Sequence, residues 1–229
     1  MQIVIDKRVP EEAKAKLAAY GNLIEFCTAG ICYSAISGHP DIFFTQYENT
    51  LICAPNTPTE IINQINKRYL NVVFGDNEIV SKFPQTAFYN ALITEKYIFH
   101  KNKYTDASIP RSFPDKAFIN IPQAYTRCNL IELPGGVFIT SDKGIEKTLR
   151  QQNFEVAYFS PNHILLPGMP NGFIGGALGS FLNKLFIIGN PSFHSWGSEF
   201  ISFVKKQKLE MICLYDGPFF DGGGILFLE

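Results

Sequence analysis

The chain has no excess of charge of either sign. Its 229 residues carry 20 basic and 21 acidic side chains, a formal net charge of −1, and no basic run. That excludes the electrostatic footprint of broad nucleic-acid binding. No apolar stretch is long enough to cross a bilayer, and Met1 to Asp6 meets charge at once, without the apolar core of an export signal. Cysteine is sparse: Cys27, Cys32, Cys53, Cys128 and Cys213 are scattered, odd in number and contain no CxxC pair. Neither a disulfide framework nor a metal-ligand set is spelled out, and reduced thiols in a cytoplasmic protein are the expectation, with no metal and no cofactor. Hydrophobic residues, at 46% of the chain, are plentiful enough for one globular body with a large core.

What is present is a repeated unit. The clearest copy runs from the apolar stretch Leu185 to Ile188 through Gly189, Asn190 and Pro191 into a helical pattern ending at Lys208, then to Met211–Tyr215. The first run suits a buried strand, Asn190 can cap a helix, and Pro191 suits its first position. Phe200, Ile201, Phe203 and Val204 give the helix an apolar face; Lys205, Lys206 and Lys208 oppose the negative end of its dipole. Gly172–Gly179 reads as a further strand just upstream. The same order of strand, strand, helix, strand recurs behind Asp41–Phe44 and Cys128–Leu133, and in a degenerate copy around Tyr97–Asn102. The punctuating residues Asp6, Asn56, Asn102, Asp142 and Asn190 are 50, 46, 40 and 48 residues apart, a spacing that marks internal repeats. The expected units are about 1–27 plus 216–229, 39–75, 87–121, 125–159 and 173–215. The first lacks an inner strand of its own. Asp221-Gly-Gly-Gly-Ile-Leu-Phe-Leu-Glu229 supplies one, and is expected to pair beside Ile3–Ile5 and close a ring that has no exposed edge.

Polar groups concentrate at the starts of the inner strands. Gly38-His-Pro-Asp41 is the densest cluster: Pro40 holds the local backbone, and strand alternation would point His39 and Asp41 to one side. An imidazole and a carboxylate so placed can hold a polar ligand or move a proton; the plainer alternative is a His-Pro turn that Asp41 caps. Matching Asn56 to Asp142 sets Asp41 opposite Arg127 and Ile42 opposite Cys128, which brings Arg127, Cys128 and Asn129 to an equivalent level. Cys128 beside Arg127 can act as a nucleophile, or it can be inert core packing. Asp142 is a candidate ligand residue and also a helix cap. His194 belongs either to the mouth of the ring or to its rim, and His163 to the surface. Asp221 lies on turn chemistry before the closing strand. The candidate catalytic residues are therefore His39, Cys128 and His194, and the candidate ligand-binding residues Asp41, Arg127, Asn129, Asp142 and Asp221.

With these residues in view the chain resembles the pentein superfamily, the pseudo-fivefold α/β propellers of ββαβ units shared by guanidino-group-modifying enzymes. It is more closely similar to an uncharacterised bacterial family of that fold. The likeness runs through Gly38-His-Pro-Asp41, Tyr104-Thr-Asp106, Tyr125-Thr-Arg-Cys128, Thr140-Ser-Asp-Lys-Gly144, Ile164-Leu-Leu-Pro-Gly168, Phe173-Ile-Gly-Gly176 and the Asp221-Gly-Gly-Gly closure. The resemblance implies a thiolate that attacks a guanidinium carbon, a histidine that shuttles protons, and carboxylates that clamp the guanidinium. It also implies a nucleophilic cysteine after the Gly-rich closing motif, where this chain has Phe227. The expected function is binding of a small cationic or zwitterionic ligand without that cysteine. The alternatives are a guanidino- or amino-modifying hydrolase of altered chemistry, and a non-catalytic interaction module. The expected partner is a small molecule, not nucleic acid or membrane.

Overall fold

The computed structural model describes residues 1–229. Five three-stranded sheets share one order: a first strand antiparallel to a middle strand, which pairs parallel with a third. A parallel pair needs a crossover, and a helix provides it each time. In chain order, β1 (Gln2–Asp6), α1 (Glu11–Leu17) and β2 (Asn22–Phe26) come first. The helical turn α2 (Pro40–Phe43) leads into β3 (Phe44–Tyr47), β4 (Thr50–Cys53), α3 (Thr59–Gln64) and β5 (Asn71–Phe74). The third unit has β6 (Leu92–Ile93), β7 (Tyr97–His100), α4 (Ser108–Ser112) and β8 (Ala117–Asn120). A second helical turn, α5 (Thr126–Asn129), opens β9 (Leu130–Leu133), β10 (Val137–Thr140), α6 (Lys143–Gln151) and β11 (Glu155–Tyr158). After the short β12 (Ile164–Leu165) come β13 (Leu178–Phe181), β14 (Lys184–Ile187), α7 (Gly197–Lys206) and β15 (Glu210–Cys213). Finally β16 (Phe219–Phe220) pairs with β12, and β17 (Leu226–Leu228) returns to β1. No helix is long and apolar enough to cross a membrane.

Local chemistry accounts for the helices. Asp142 takes a hydrogen bond from the Ile145 amide at 2.9 Å, which caps α6, and Ile145 and Leu149, one turn apart, bury its inner face. In α7, Phe200 and Val204 are buried, Glu199 lies in the first turn and Lys205 and Lys206 in the last.

Three local expectations change. Residues 40–43 and 126–129 are turns of helix, so the inner strands begin at Phe44 and Leu130 and not at Asp41 and Cys128. Pro40 explains the first case, because its fixed φ fits the first helical position as well as it fits a strand edge. The Gly172–Gly179 run is not a strand over its length: Gly175–Ala177 is a 3₁₀ turn and β13 starts at Leu178. Asn190 caps a 3₁₀ turn at Pro191–Phe193, and α7 begins only at Gly197. His194 is therefore outside the helix.

β17 pairs antiparallel with β1, with Ile3 opposite Phe227 and Val4 opposite Leu226. Its side chains alternate between two cores. Leu226 and Leu228 pack with Val4, Ile24 and Phe43, whereas Ile225 and Phe227 pack with Ile3, Ile5 and Phe186. Phe227 stacks on Phe181 at 5.1 Å and lies 4.9 Å from Phe186, ring centre to ring centre. A strand buried on both faces behaves as interior structure. We expect Phe227→Ala to cost about 3–5 kcal/mol, and deletion of residues 225–229 to abolish cooperative unfolding. A truncated chain that melted within a few degrees of the parent would show that β17 is dispensable.

Candidate functional site

The site is assembled just upstream of three first strands. Asp41 lies in α2, three residues before β3; Cys128 lies in α5, two before β9; Asn90 stands two before β6. The Cys128 thiol donates to Asp41 Oδ2 at 2.9 Å. Asn90 embraces the cysteine, donating from Nδ2 to Sγ at 3.2 Å and accepting the Cys128 amide at 3.1 Å. Its Nδ2 also reaches the Asp41 carbonyl at 3.0 Å. Asp41, Asn90 and Cys128 are all buried. Asn90 was not among the sequence candidates. Its repeat register, at the same level before β6, was the signal that would have found it.

His39 completes the group. One of its ring nitrogens, an Asp41 carboxylate oxygen and Cys128 Sγ lie within 4.8 Å of one another. Nε2 is 3.9 Å from Asp6 Oδ2 and 3.8 Å from Asp221 Oδ1, beyond hydrogen-bond reach of both. Both ring nitrogens of His39, and Asp41 Oδ1, are buried without a hydrogen-bond partner. Buried polar atoms are rarely left so, and each calls for an explanation such as a catalytic role or a bound ion or water. Asp6 itself is held by Arg8, whose Nε and Nη2 both donate to its carboxylate, at 3.0 and 2.5 Å. Asp221 is held by backbone, accepting from Phe173 N at 2.8 Å and Gly223 N at 3.0 Å.

Two glycines make this packing possible. A side chain at Gly176 would collide with the Asp221 carboxylate. Gly223, at φ +68°, takes a conformation costly for other residues and lies against the His39 side chain.

His39, Cys128 and Asp221 line a cavity of about 100 Å³, with Tyr33, Tyr125, Ile36, Leu166, Met169, Asn171 and Phe173 as its walls. Burial pushes the Asp41 carboxyl up from 3.8 to about 6, against the opposing pull of the Arg127 charge and the Cys128 thiol. Burial likewise raises Asp221, which His39 partly offsets, and lowers His39, against the charges of Asp221 and Asp6. The Cys128 thiol is pushed well up by burial and then by the neighbouring Asp41 and Asp221 carboxylates. A positively charged occupant would relieve every one of these penalties except that on His39.

The other candidates lie apart. Arg127 donates to the carbonyls of Gly175 at 2.8 Å and Leu178 at 3.3 Å, fixing the turn before β13. Asn129 is buried in a network with the Tyr125 carbonyl and Ser141. Asp142 caps α6. His194 bonds the Ser160 carbonyl at 2.9 Å, accepts the Trp196 amide at 3.1 Å and stacks on Phe219. None of these four lines the cavity.

The sequence model of a family of unknown function, DUF6873, matches residues 4–226. No curated protein matches the chain. Among solved structures it is similar to an amidinotransferase of Microseira wollei from the saxitoxin biosynthetic pathway, with a TM-score of 0.57, 10% identity, and coverage of 93% of this chain and 87% of that one. It is similar also to dimethylarginine dimethylaminohydrolase of Pseudomonas aeruginosa in complex with citrulline (TM-score 0.56, 9% identity, 92% and 90% covered). A third is agmatine deiminase of C. jejuni (0.55, 8%, 93% and 86%). These are pentein-fold enzymes that modify guanidino groups, and at such identities the likeness carries the fold alone. The chain has the pentein fold.

The carboxylate chemistry gives a signed expectation. Asp41 binds its proton more tightly folded than unfolded, so its favourable contribution is complete below pH 3.8 and is lost as pH rises through about 6. Asp41→Asn removes that loss. The variant should melt above the parent at pH 7, by an amount equivalent to about 2–3 kcal/mol at most, and the gap should close as pH falls towards 4. A difference in melting temperature that did not change with pH would refute the charge as its cause.

Proposed function

We propose that this chain, which belongs to the DUF6873 family, binds a small organic cation bearing a guanidinium or amino group in the cavity beside His39, Cys128 and Asp221. The observation that carries the reading is a buried carboxylate, Asp221, and an imidazole without a hydrogen-bond partner lining one small cavity, with a second buried carboxylate, Asp41, directly behind the Cys128 thiol that lines it too. A guanidinium is flat, always charged and rich in donors, so it satisfies carboxylates in pairs. The aromatic faces of Tyr33, Tyr125 and Phe173 suit its planar surface. About 100 Å³ admits such a head group with a short stem, well below the room a drug-sized molecule needs.

The five sheets are taken to stand as blades about one axis, closed by β17 beside β1. Adjacency of β3 to β6, of β9 to β13 and of β13 to β17 supports this arrangement. So does a depression of about 480 Å³ lined from all five first strands, with Gln46, Ile93, Glu132, Ser180 and Phe227 among its residues. On this reading Phe227 packs where the resemblance would set a nucleophilic cysteine, and the closing strand contributes packing instead of a thiol.

One observation favours a second reading, thiol-dependent chemistry on the guanidino carbon. Cys128 Sγ is bonded to Asp41, with a His39 nitrogen close by, so a proton acceptor stands at the sulfur. The burial and carboxylates that hold the thiol protonated would be offset once a cation is bound.

Thermal shift with agmatine, methylated arginine and methylguanidinium, each against an uncharged urea analogue, tests the binding reading. A ligand near 100 times its Kd stabilises by about 2.7 kcal/mol, a rise of several degrees. The rise should vanish in Asp221→Asn and persist in Cys128→Ser. Equal response to the cation and its uncharged analogue would sink the reading. A covalent adduct on Cys128, or release of an amine that stops in Cys128→Ser, would establish the second.

A further inference from the structure

The set formed by His39, Asp41 and Cys128 has a property that an organic-cation pocket does not require. One nitrogen, one oxygen and one sulfur, each able to donate an electron pair to a metal, lie within 4.8 Å of one another, and all three residues are buried. Both His39 ring nitrogens and Asp41 Oδ1 are without hydrogen-bond partners. An unsatisfied buried polar group is costly, and here three such atoms belong to the two residues that stand beside the Cys128 thiol.

We propose that His39, Asp41 and Cys128 bind one divalent transition-metal ion, with zinc the best match. A mixed nitrogen, oxygen and sulfur set suits a borderline-soft ion, whereas magnesium and calcium take oxygen throughout. Metal–ligand bonds of about 2.0–2.3 Å set tetrahedral ligand atoms about 3.3–3.8 Å apart, so side-chain movements of about 1 Å close the set. Three protein ligands leave a fourth position, and the cavity lies on the side of Cys128 and His39 where it would open. The metal takes the place of the thiol proton that Cys128 now shares with Asp41, and that proton leaves to solvent. With Asp41 ionised and Cys128 as thiolate, two negative charges neutralise the ion.

The surroundings fit the role. Asn90 donates to the sulfur and accepts the Cys128 backbone amide, orienting the residue as outer partners of metal ligands do. Asp6 and Asp221, at 3.9 and 3.8 Å from His39 Nε2, are positioned to accept a ring N–H after a small shift. Asp6 cannot swing away, because Arg8 holds it. Spacing in the sequence could not reveal this set, since Cys128 comes from a different repeat unit.

The metal set shares His39 and Cys128 with the lining of the organic-cation cavity, and the two readings part at Asp221, which the organic cation needs and the metal does not take as a ligand. The test uses the full chain, treated with chelator, dialysed and titrated with Co²⁺ as a spectroscopic probe, then with Zn²⁺ as competitor. One equivalent of cobalt should give a thiolate-to-cobalt charge-transfer band that zinc bleaches, and zinc should raise the melting temperature. Cys128→Ser should lose the band, Cys27→Ser should keep it, and His39→Gln should weaken affinity by about tenfold or more. Asp221→Asn, which leaves all three ligands in place, should keep the band at saturating cobalt even where it loses response to guanidino compounds. Absence of the band in the parent protein, or its persistence in Cys128→Ser, would overturn the proposal. The parent measurement decides even if a variant fails to fold.

Discussion

A buried carboxylate must have a partner, and the partners of three of them tie this molecule together. Asp6, at the end of β1, is held by Arg8, which also donates to the carbonyls of Ser34 and Ala35 and so pins the loop that carries His39. Asp41 meets the thiol of Cys128, which joins the second unit to the fourth. Asp221 accepts amides from Phe173 and Gly223, which joins the approach to β13 with the turn that delivers β17. Arg8 to Ser34 and Ala35, Cys128 to Asp41 and Phe173 to Asp221 each link segments far apart in the chain, and the three carboxylates lie around His39. Burying three carboxylates around one imidazole costs stability unless other interactions offset it. The Gly-rich segments follow from the same constraint. Gly176 gives Asp221 room, and Gly223 lets the closing turn pass over His39.

Much of the architecture could be read from the sequence, because it rests on period and punctuation. The repeat of apolar strand, cap and helix placed the middle strands correctly, and Asp142 caps its helix as its position suggested. The return of the last strand to Ile3 was legible because the first unit had an apolar strand and helix but no antiparallel partner before them. The errors fall where two local conformations share one residue preference. Proline at position 40 suits a strand edge and a first helical turn equally, and only packing chooses the helix. His39 and Asp41 do converge, but through a helical turn and not through strand alternation.

The site was only partly legible for a related reason. Residues that cap or bridge within their own unit look, in sequence, like those that face the cavity. Asp142 and Asp41 are both acids near an element boundary. One accepts a backbone amide three residues on, and the other meets a thiol 87 residues away. Histidine shows the same division: His194 has both ring nitrogens engaged, whereas His39 has neither. The count of satisfied bonds separates structural polar residues from candidates for chemistry, and that count exists only in three dimensions.

The strand order that the five sheets share also explains how one place acquires a mixed set of groups. Each unit ends a loop just before its first strand, and in three units that position supplies Asp41, Asn90 and Cys128 to one place. The backbone fixes where these side chains arrive but not which chemistry they carry. The thiol, the amide and the carboxylate all lie outside the strand ladders, Asp41 and Cys128 in helical turns and Asn90 in the segment before β6, so their identity is not set by strand pairing. The chain shares its fold with three enzymes to which it is only 8–10% identical. Function must therefore be argued from the few residues at such positions and not from the fold.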